Sequence, residues 1–273
     1  MTYADIELLE IIEADLKMVD AVVEITDARI PESSRNPILD ELVKDKPRII
    51  LMNKCDYADE AATRAWKQYY EKKGIRVLTC DCRSGKGLNA FLPEVKRLLA
   101  ELIERRKKRG MIGKALRLMV VGIPNVGKSS FINRMAKTKK TKVGDKPGVT
   151  RGKQWVSIDK DVELLDMPGI LWPKFDDQLA AQRLAFTGAI KDDVMDTEAL
   201  ARALGAVLKE QYPELLNARY KLTGDEDILR DIAKSRGMLV SGGEPDTERA
   251  AAALLDEYRG GKIGRITLEK PGR

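Results

Sequence analysis

The chain has 273 residues, 43% of them hydrophobic and 34% charged, which is typical of a globular protein with one or two domains. Its longest apolar runs, such as residues 49–52 and 118–121, are far shorter than the roughly 20 residues of a membrane-spanning helix. The acidic start of the chain lacks the pattern of a signal peptide. Three cysteines and no histidine argue against a disulfide framework and a cysteine-based metal site. We therefore expect a cytoplasmic protein.

The net charge of +6 is unevenly distributed along the chain. Residues 101–153 contain sixteen Lys and Arg residues against Glu101, Glu104 and Asp145, a local charge of +13, so the rest of the chain is net acidic. A positive stretch of this kind suits a polyanionic partner, because each neutralised phosphate releases counterions. The alternative is that the five cations at residues 105–109 are only the solvated end of a helix, where cations favour the helix dipole.

In chain order, hydrophobic periodicity predicts alternating strands and helices. The strands are expected at residues 21–26, 48–52, 75–79, 116–122, 154–158 and 162–165, and the helices at 6–19, 60–73, 88–109 and 127–137. This alternation is typical of a mostly parallel sheet covered on both faces. After Pro173 the pattern predicts only helices, at residues 178–190, 197–211, 225–235 and 246–258, and then a short tail at 262–268. We expect an α/β domain over residues 1–174 and a small all-α domain over 175–273.

Residues 122–129 match the phosphate-binding pattern G-x-x-x-x-G-K-[ST] between a predicted strand and a predicted helix. The backbone N–H groups of such a turn can bind phosphates, Lys128 adds a positive charge, and the Ser129 hydroxyl can ligate magnesium. The alternative is an ordinary glycine turn with Lys128 exposed to solvent. The predicted nucleotide contacts are Asn125, Val126, Gly127, Lys128, Ser129 and Ser130.

Residues 53–56, Asn-Lys-Cys-Asp, follow a predicted strand and match the N-K-x-D pattern that reads guanine. The Asp56 carboxylate can accept hydrogen bonds from the ring N–H and the exocyclic amine of guanine, whereas adenine would leave these acceptors unpaired. We therefore expect Asn53, Lys54 and Asp56 to select GTP over ATP. Asp81 and Cys82 begin a loop placed where GTPases support the base, although the match there is weak. The alternative for residues 53–56 is a loop in which Asp56 caps a helix.

Asp166 and Gly169 match a D-x-x-G turn after the last predicted strand. In such turns the aspartate orients magnesium and the glycine N–H meets the γ-phosphate. Thr150, in Pro-Gly-Val-Thr, is the candidate that closes over the metal when GTP is bound, and its alternative is an ordinary turn residue. We expect Ser129, Thr150 and Asp166 to be the magnesium ligands, and the segments of Thr150 and Gly169 to respond to loss of the γ-phosphate.

The guanine pattern precedes the phosphate loop, the reverse of the usual order, so the motifs are circularly permuted. Together with residues 27–31 (Asp-Ala-Arg-Ile-Pro), 34–37, 168–173 and 184–191, this order resembles the YlqF/RbgA family, ribosome biogenesis GTPase A. The resemblance runs from about residue 12 to the C-terminus. It implies a circularly permuted P-loop GTPase domain, a role in assembling the large ribosomal subunit, hydrolysis stimulated by that particle, and a helical C-terminal domain that contacts rRNA.

Two departures from the family pattern leave the residue that activates water unassigned, with Lys128 and Thr150 as supporting residues. Family members usually begin with a segment resembling Trp-Phe-Pro-Gly-His-Met, whose histidine is implicated in hydrolysis, but this chain has no histidine. Ile170 stands where many GTPases have glutamine, and isoleucine cannot orient water. Either the N-terminus is missing or altered in this sequence, or hydrolysis is slow. Asn125 resembles a potassium ligand, so we expect potassium to stimulate turnover.

The leading hypothesis is a monomeric GTP-hydrolysing switch that binds GTP or GDP with Mg²⁺ and K⁺, and whose partners are the large ribosomal subunit, its rRNA and its proteins. One alternative is a signalling or transport GTPase that binds a protein or an acidic membrane through the basic stretch. The sequence shows no lipidation motif that would favour a membrane. The other alternative is a binding-only protein with very low intrinsic hydrolysis.

Overall fold

The computed structural model describes residues 11–43, 46–111, 113–136, 154–169, 177–190 and 196–272, and for Ile38 it describes the backbone only. Within these ranges, no helix has both the length and the apolar composition needed to cross a membrane.

Six strands form one sheet in the order β3-β2-β1-β4-β6-β5. All neighbouring strands are parallel except β5, which is antiparallel to β6. Every residue of β1 is buried, as expected for a central strand covered on both faces. The predicted strands and the mostly parallel sheet are confirmed, with bounds β1 (Ala21–Asp27), β2 (Arg48–Asn53), β3 (Arg76–Thr79), β4 (Leu116–Val121), β5 (Gln154–Asp159) and β6 (Val162–Asp166).

The helix predicted at residues 6–19 ends at residue 16, and its first five residues lie outside the described ranges. The other helices that accompany the sheet differ from the prediction mainly in two places. The stretch predicted as one helix at residues 88–109 is a 3₁₀ turn and two helices separated at Leu99, which divides the part that packs in the core from a basic part with no buried side chain. A short helix after Asn36 was not predicted, although Asn36 caps it and Pro37 begins it. The helices are α1 (residues 11–16), α2 (Pro37–Leu42), α3 (Glu60–Lys72), α4 (Phe91–Leu98), α5 (Ala100–Lys108) and α6 (Lys128–Met135).

The C-terminal part is helical, as predicted, and α8 and α11 pack on each other at its centre. Leu204 and Leu208 of α8 and Leu254 of α11 are fully buried there. One helix, α9, was missed although Pro213 occupies its first turn. The bounds are α7 (Gln178–Phe186), α8 (Thr197–Gln211), α9 (Pro213–Tyr220), α10 (Ile228–Ser235) and α11 (Thr247–Arg259). The boundary between residues 174 and 175 stays a prediction.

Candidate functional site

The candidate site lies at the carboxyl edge of the parallel strands. The chain runs outward from β1 to β2 and β3, then returns to place β4 on the other side of β1. Ligands of open α/β sheets bind at such a reversal of strand order. Asp27 and Asn53 pair at the ends of β1 and β2, and Asp166 pairs with Val120 near the end of β4. The topology therefore brings the three predicted motifs to one edge of the sheet.

The phosphate loop joins β4 to α6, as its pattern requires. Gly127 precedes α6 with φ = +103°, in the left-handed region that favours glycine. Lys128 is buried, and its Nζ donates to the carbonyls of Gly122 at 3.0 Å and Ile123 at 3.2 Å. Ser129 and Ser130 follow in the first turn of the helix and are partly buried. A helix N-terminus with a positive side chain folded over the preceding loop is an arrangement that can bind an anion.

Asn53 joins the guanine motif directly to the phosphate loop. Its Nδ2 donates to the Val126 carbonyl at 2.7 Å, and its Oδ1 accepts from the Cys82 N–H at 2.9 Å. The Nζ of Lys54 donates to the Asn125 carbonyl at 2.8 Å. Two motifs about seventy residues apart in sequence therefore share hydrogen bonds, as a single nucleotide pocket requires.

The loop predicted to support the base is held by its own hydrogen bonds. The Asp81 carboxylate accepts from the N–H groups of Arg83 at 2.8 Å and Ser84 at 3.1 Å. Burial would raise the pKa of Asp81, but the hydrogen bonds from Ser84 and Arg83 outweigh it and hold the pKa below its usual value. Since the Cys82 N–H bonds to Asn53, this loop lies beside the guanine motif. Asp56 is partly buried.

Lys128 and Asp166 form the charged centre of the site. Asp166 is fully buried, and neither of its carboxylate oxygens has a hydrogen-bond partner among the described residues. Burial raises its pKa to about 6, against the opposing effect of Lys128. Burial likewise lowers the pKa of Lys128 to about 8, although Asp166 favours the charged form. Gly169 packs closely against the phosphate loop, since a Cβ added to Gly169 would be 3.0 Å from the Lys128 Nζ and 3.1 Å from the Cα of Pro124.

Two further predicted site residues are Thr150 and Asn125. Thr150 lies outside the described residues, as does Ile170. The Nδ2 of Asn125 donates to the Gly188 carbonyl at 2.7 Å, just beyond α7. The phosphate loop therefore contacts the helical part of the chain, which the sequence did not predict.

Sequence reasoning assigned no role to a buried ion pair behind the guanine motif. The Nε and Nη2 of Arg29 bond to the two carboxylate oxygens of Asp27 at 2.9 and 2.8 Å, and the Nζ of Lys54 lies 3.0 Å from Asp27. Burial opposes ionisation of Asp27, but Arg29 and Lys54 outweigh it and hold its pKa well below the usual range. Arg29 also donates to the carbonyls of Tyr258 and Arg259 at 3.2 Å. The sequence signal for this ion pair was the Asp-Ala-Arg-Ile-Pro segment at residues 27–31, which resembles the family pattern.

Comparison with known proteins agrees with this geometry. The model of the 50S ribosome-binding GTPase family matches residues 117–218. Ribosome biogenesis GTPase A of Bacillus licheniformis is 48% identical over 94% of this chain and 92% of its own length. GNP-bound YlqF from T. maritima has a TM-score of 0.65 at 29% identity, covering 96% of this chain and 97% of that one. The GDP-bound structure of TM YlqF has a TM-score of 0.67 at 30% identity, with 96% and 99% covered.

The family prediction made from the sequence is confirmed, and with it the P-loop GTPase fold and the binding of guanine nucleotide. The chain belongs to the ribosome biogenesis GTPase A family and is a GTPase that acts in ribosome biogenesis.

Proposed function

We propose that GTP binds between Asp56 and the phosphate loop, and that its hydrolysis there switches the protein on and off the large ribosomal subunit. The observation that carries the nucleotide site is the hydrogen bond from the Asn53 side chain to the Val126 carbonyl at 2.7 Å. It fixes the base-reading motif against the loop that binds phosphates, so that one nucleotide reaches both.

Each part of the site then has a role in binding GTP. Asp56 accepts the two N–H groups of the guanine edge, and the loop that begins at Asp81 and Cys82 supports the base. Asn53 and Lys54 hold the phosphate loop at the required distance. The charge of Lys128 and the N–H groups of residues 125–130 bind the phosphates. The N–H of Gly169 meets the γ-phosphate.

The residues around Lys128 fit a magnesium ion. The two carboxylate oxygens of Asp166 are buried and have no hydrogen-bond partner in the described part of the chain, and carboxylate and hydroxyl oxygens are the ligands that magnesium prefers. We assign Asp166 and Ser129 to the metal, together with Thr150. A bound magnesium ion would neutralise charge on the phosphates. Lys128 contributes a second positive charge and orients the phosphates through its fixed position in the loop.

Asn125 is the proposed ligand for a potassium ion. Its amide nitrogen donates to the Gly188 carbonyl, and an asparagine amide also carries an acceptor oxygen that can ligate a cation. With no histidine in the chain and no assigned water-activating group, we expect slow hydrolysis by the protein alone. Potassium and the ribosomal subunit would raise the rate by adding charge stabilisation and order to the site.

The proposed ribosomal contacts are the helical domain, residues 175–273, and the basic stretch, residues 101–153. In α5 and just beyond it, the exposed cations are Arg105, Lys107, Lys108 and Arg109. The remaining cation of this run, Arg106, pairs with Asp20 at 2.5 Å. Exposed cations of this kind suit the phosphates of rRNA.

Two measurements test the proposal. Single-turnover GTP hydrolysis should accelerate with large ribosomal subunits and not with small ones. Cosedimentation of the monomeric protein with large subunits should be stronger with a non-hydrolysable GTP analogue than with GDP. Equal hydrolysis rates with and without large subunits, together with cosedimentation that does not depend on the nucleotide, would contradict the proposed switch.

A further inference from the structure

The C-terminal tail, residues 262–269, leaves the end of α11 and lies between the loops that follow β1 and β2. Gly261 adopts φ = +68° where the chain reverses, and a side chain there would clash with the ring of Tyr57. Ile266 and Leu268 of the tail are buried in the hydrophobic core. The tail is therefore packed as part of the fold, next to the loop that carries Asp56.

The tail holds backbone carbonyls on both sides of the carboxylate proposed to read the base. The guanidinium group of Arg265 donates to the Cys55 carbonyl at 3.0 Å and to the Ala58 carbonyl at 2.9 Å. Between them, the Tyr57 carbonyl accepts from the Ile266 N–H at 2.9 Å. The tail thus bonds to the backbone of the base-reading loop, residues 54–59, on both sides of Asp56.

The far end of the tail is anchored on the loop after β1. The Leu268 N–H donates to the Arg29 carbonyl at 2.8 Å. The buried carboxylate of Glu269 accepts from the N–H of Glu32 at 2.7 Å and from the N–H of Ser33 at 3.1 Å. Because these contacts do not involve the base-reading loop, they keep the tail in place whether or not a base is bound.

We infer that the C-terminal tail, acting through Arg265, positions Asp56 and thereby sets the preference of the site for guanine. The inference rests on the base-reading role proposed above for Asp56. Recognition by paired hydrogen bonds depends on geometry, because a displaced acceptor leaves the N–H groups of the base without a partner. Arg265 is in this sense a positioning residue that acts through the loop backbone.

The effect of position can be separated from the effect of charge. Inosine lacks only the exocyclic amine of guanine, so the affinity ratio of GDP to IDP measures the second hydrogen bond to Asp56. Loss of the positive charge of Arg265 would weaken both nucleotides by the same factor, since their phosphates are identical. The Arg265 side chain is 50% exposed, so its removal opens no core cavity.

The test is calorimetric titration of the full chain with GDP and with IDP at fixed Mg²⁺. The wild type should prefer GDP by about tenfold or more. Arg265→Ala should lower that preference at least about threefold, and Arg265→Lys should lower it similarly although the charge is kept, because an ammonium group cannot reproduce the fork of a guanidinium. Arg249→Ala, which removes an exposed arginine of α11, is the matched control and should keep the full preference.

The outcomes separate this inference from the proposal on which it rests. If Arg265→Ala keeps the full preference, or binds GDP and IDP more weakly by the same factor, the role of the tail is overturned. In that case, loss of the preference in Asp56→Ala would still support the base-reading role. A wild type without preference overturns both. If Arg265→Ala does not fold, hydrogen exchange in the wild type decides. GDP should slow exchange of the Ile266 N–H, which bonds to the Tyr57 carbonyl, more than saturating IDP does, and equal protection overturns the inference.

Discussion

The base side and the phosphate side of the site differ in how the described residues satisfy the central polar side chain of each. Asn53 bonds to the carbonyl of Val126 and the N–H of Cys82, and Asp27 is paired with Arg29 and Lys54. Asp166 has no hydrogen-bond partner among the described residues. The base side is preorganised by folding, while the phosphate side is arranged to gain stability from charged ligands.

The largest effect is expected from breaking the ion pair on the base side. Arg29→Met should lower the free energy of unfolding by about 3–5 kcal/mol, because it leaves the buried carboxylate of Asp27 with Lys54 as its remaining cation. Denaturant unfolding without nucleotide measures this. Arg64→Ala, at an exposed position, should change stability by less than about 0.5 kcal/mol. A loss below about 1 kcal/mol in Arg29→Met would mean that the pair does not hold the base side together.

The next largest effect is expected from removing the Asn53 side chain, which joins the base side to the phosphate side. Asn53→Ala should cost about 2–3 kcal/mol of unfolding free energy, because the Val126 carbonyl and the Cys82 N–H both lose a buried partner. GDP affinity should fall in the same variant, as measured by calorimetry. Asn89→Ala, at an exposed position, serves as the control. An Asn53→Ala protein with unchanged stability and affinity would show that the two motifs do not depend on this contact.

The buried carboxylate on the phosphate side should make stability depend on pH. The pKa of Asp166 is about 6 in the folded chain against an ordinary 3.8, so the unfolded state releases this proton first, and stability falls as pH rises from about 4 to about 6. In magnesium-free buffer, the stability of Asp166→Asn should not fall over this pH range. The variant should therefore be more stable than the wild type by a larger margin at pH 7 than at pH 4. Denaturation midpoints at both values measure it. A wild-type and variant difference that does not change with pH would contradict the burial of an unpaired carboxylate.

The smallest effect concerns Asn125, which lies in the phosphate loop and contacts the helical part of the chain. Asn125→Ala should cost about 1 kcal/mol through the lost hydrogen bond to the Gly188 carbonyl, and its GTPase rate should be the same in potassium and sodium. The wild type should be faster in potassium. Persistent stimulation by potassium in the variant would remove Asn125 from the proposed cation site.

The strands and the phosphate loop could be predicted because their signals are local. The apolar run of β2 followed by Asn53, and the run of β4 followed by Gly122, each specify a strand and the loop after it. The contact of Asn53 with Val126 could not be predicted, because it depends on which strands are neighbours in the sheet. The contacts of Arg265 depend on where the C-terminal tail returns, and no periodicity encodes that.

Predicted helix ends were less accurate for a related reason. The break at Leu99 lies within a continuous helical pattern, and it reflects the different burial of α4 and α5 rather than a local signal such as Gly or Pro. By contrast, Asn36-Pro37 and Pro213 were local signals of α2 and α9 that the periodicity of longer windows concealed.

The central claim is that Asp56 reads the base of the same nucleotide whose phosphates Lys128 binds, and Asp56→Asn tests it most directly. Xanthine carries an acceptor oxygen where guanine has its exocyclic amine, and an asparagine amide can donate to that oxygen. Titration of the variant with GDP and XDP should therefore show the preference inverted in favour of XDP, with Lys128→Ala weakening both. A variant that still prefers GDP as strongly as the wild type would contradict the claim.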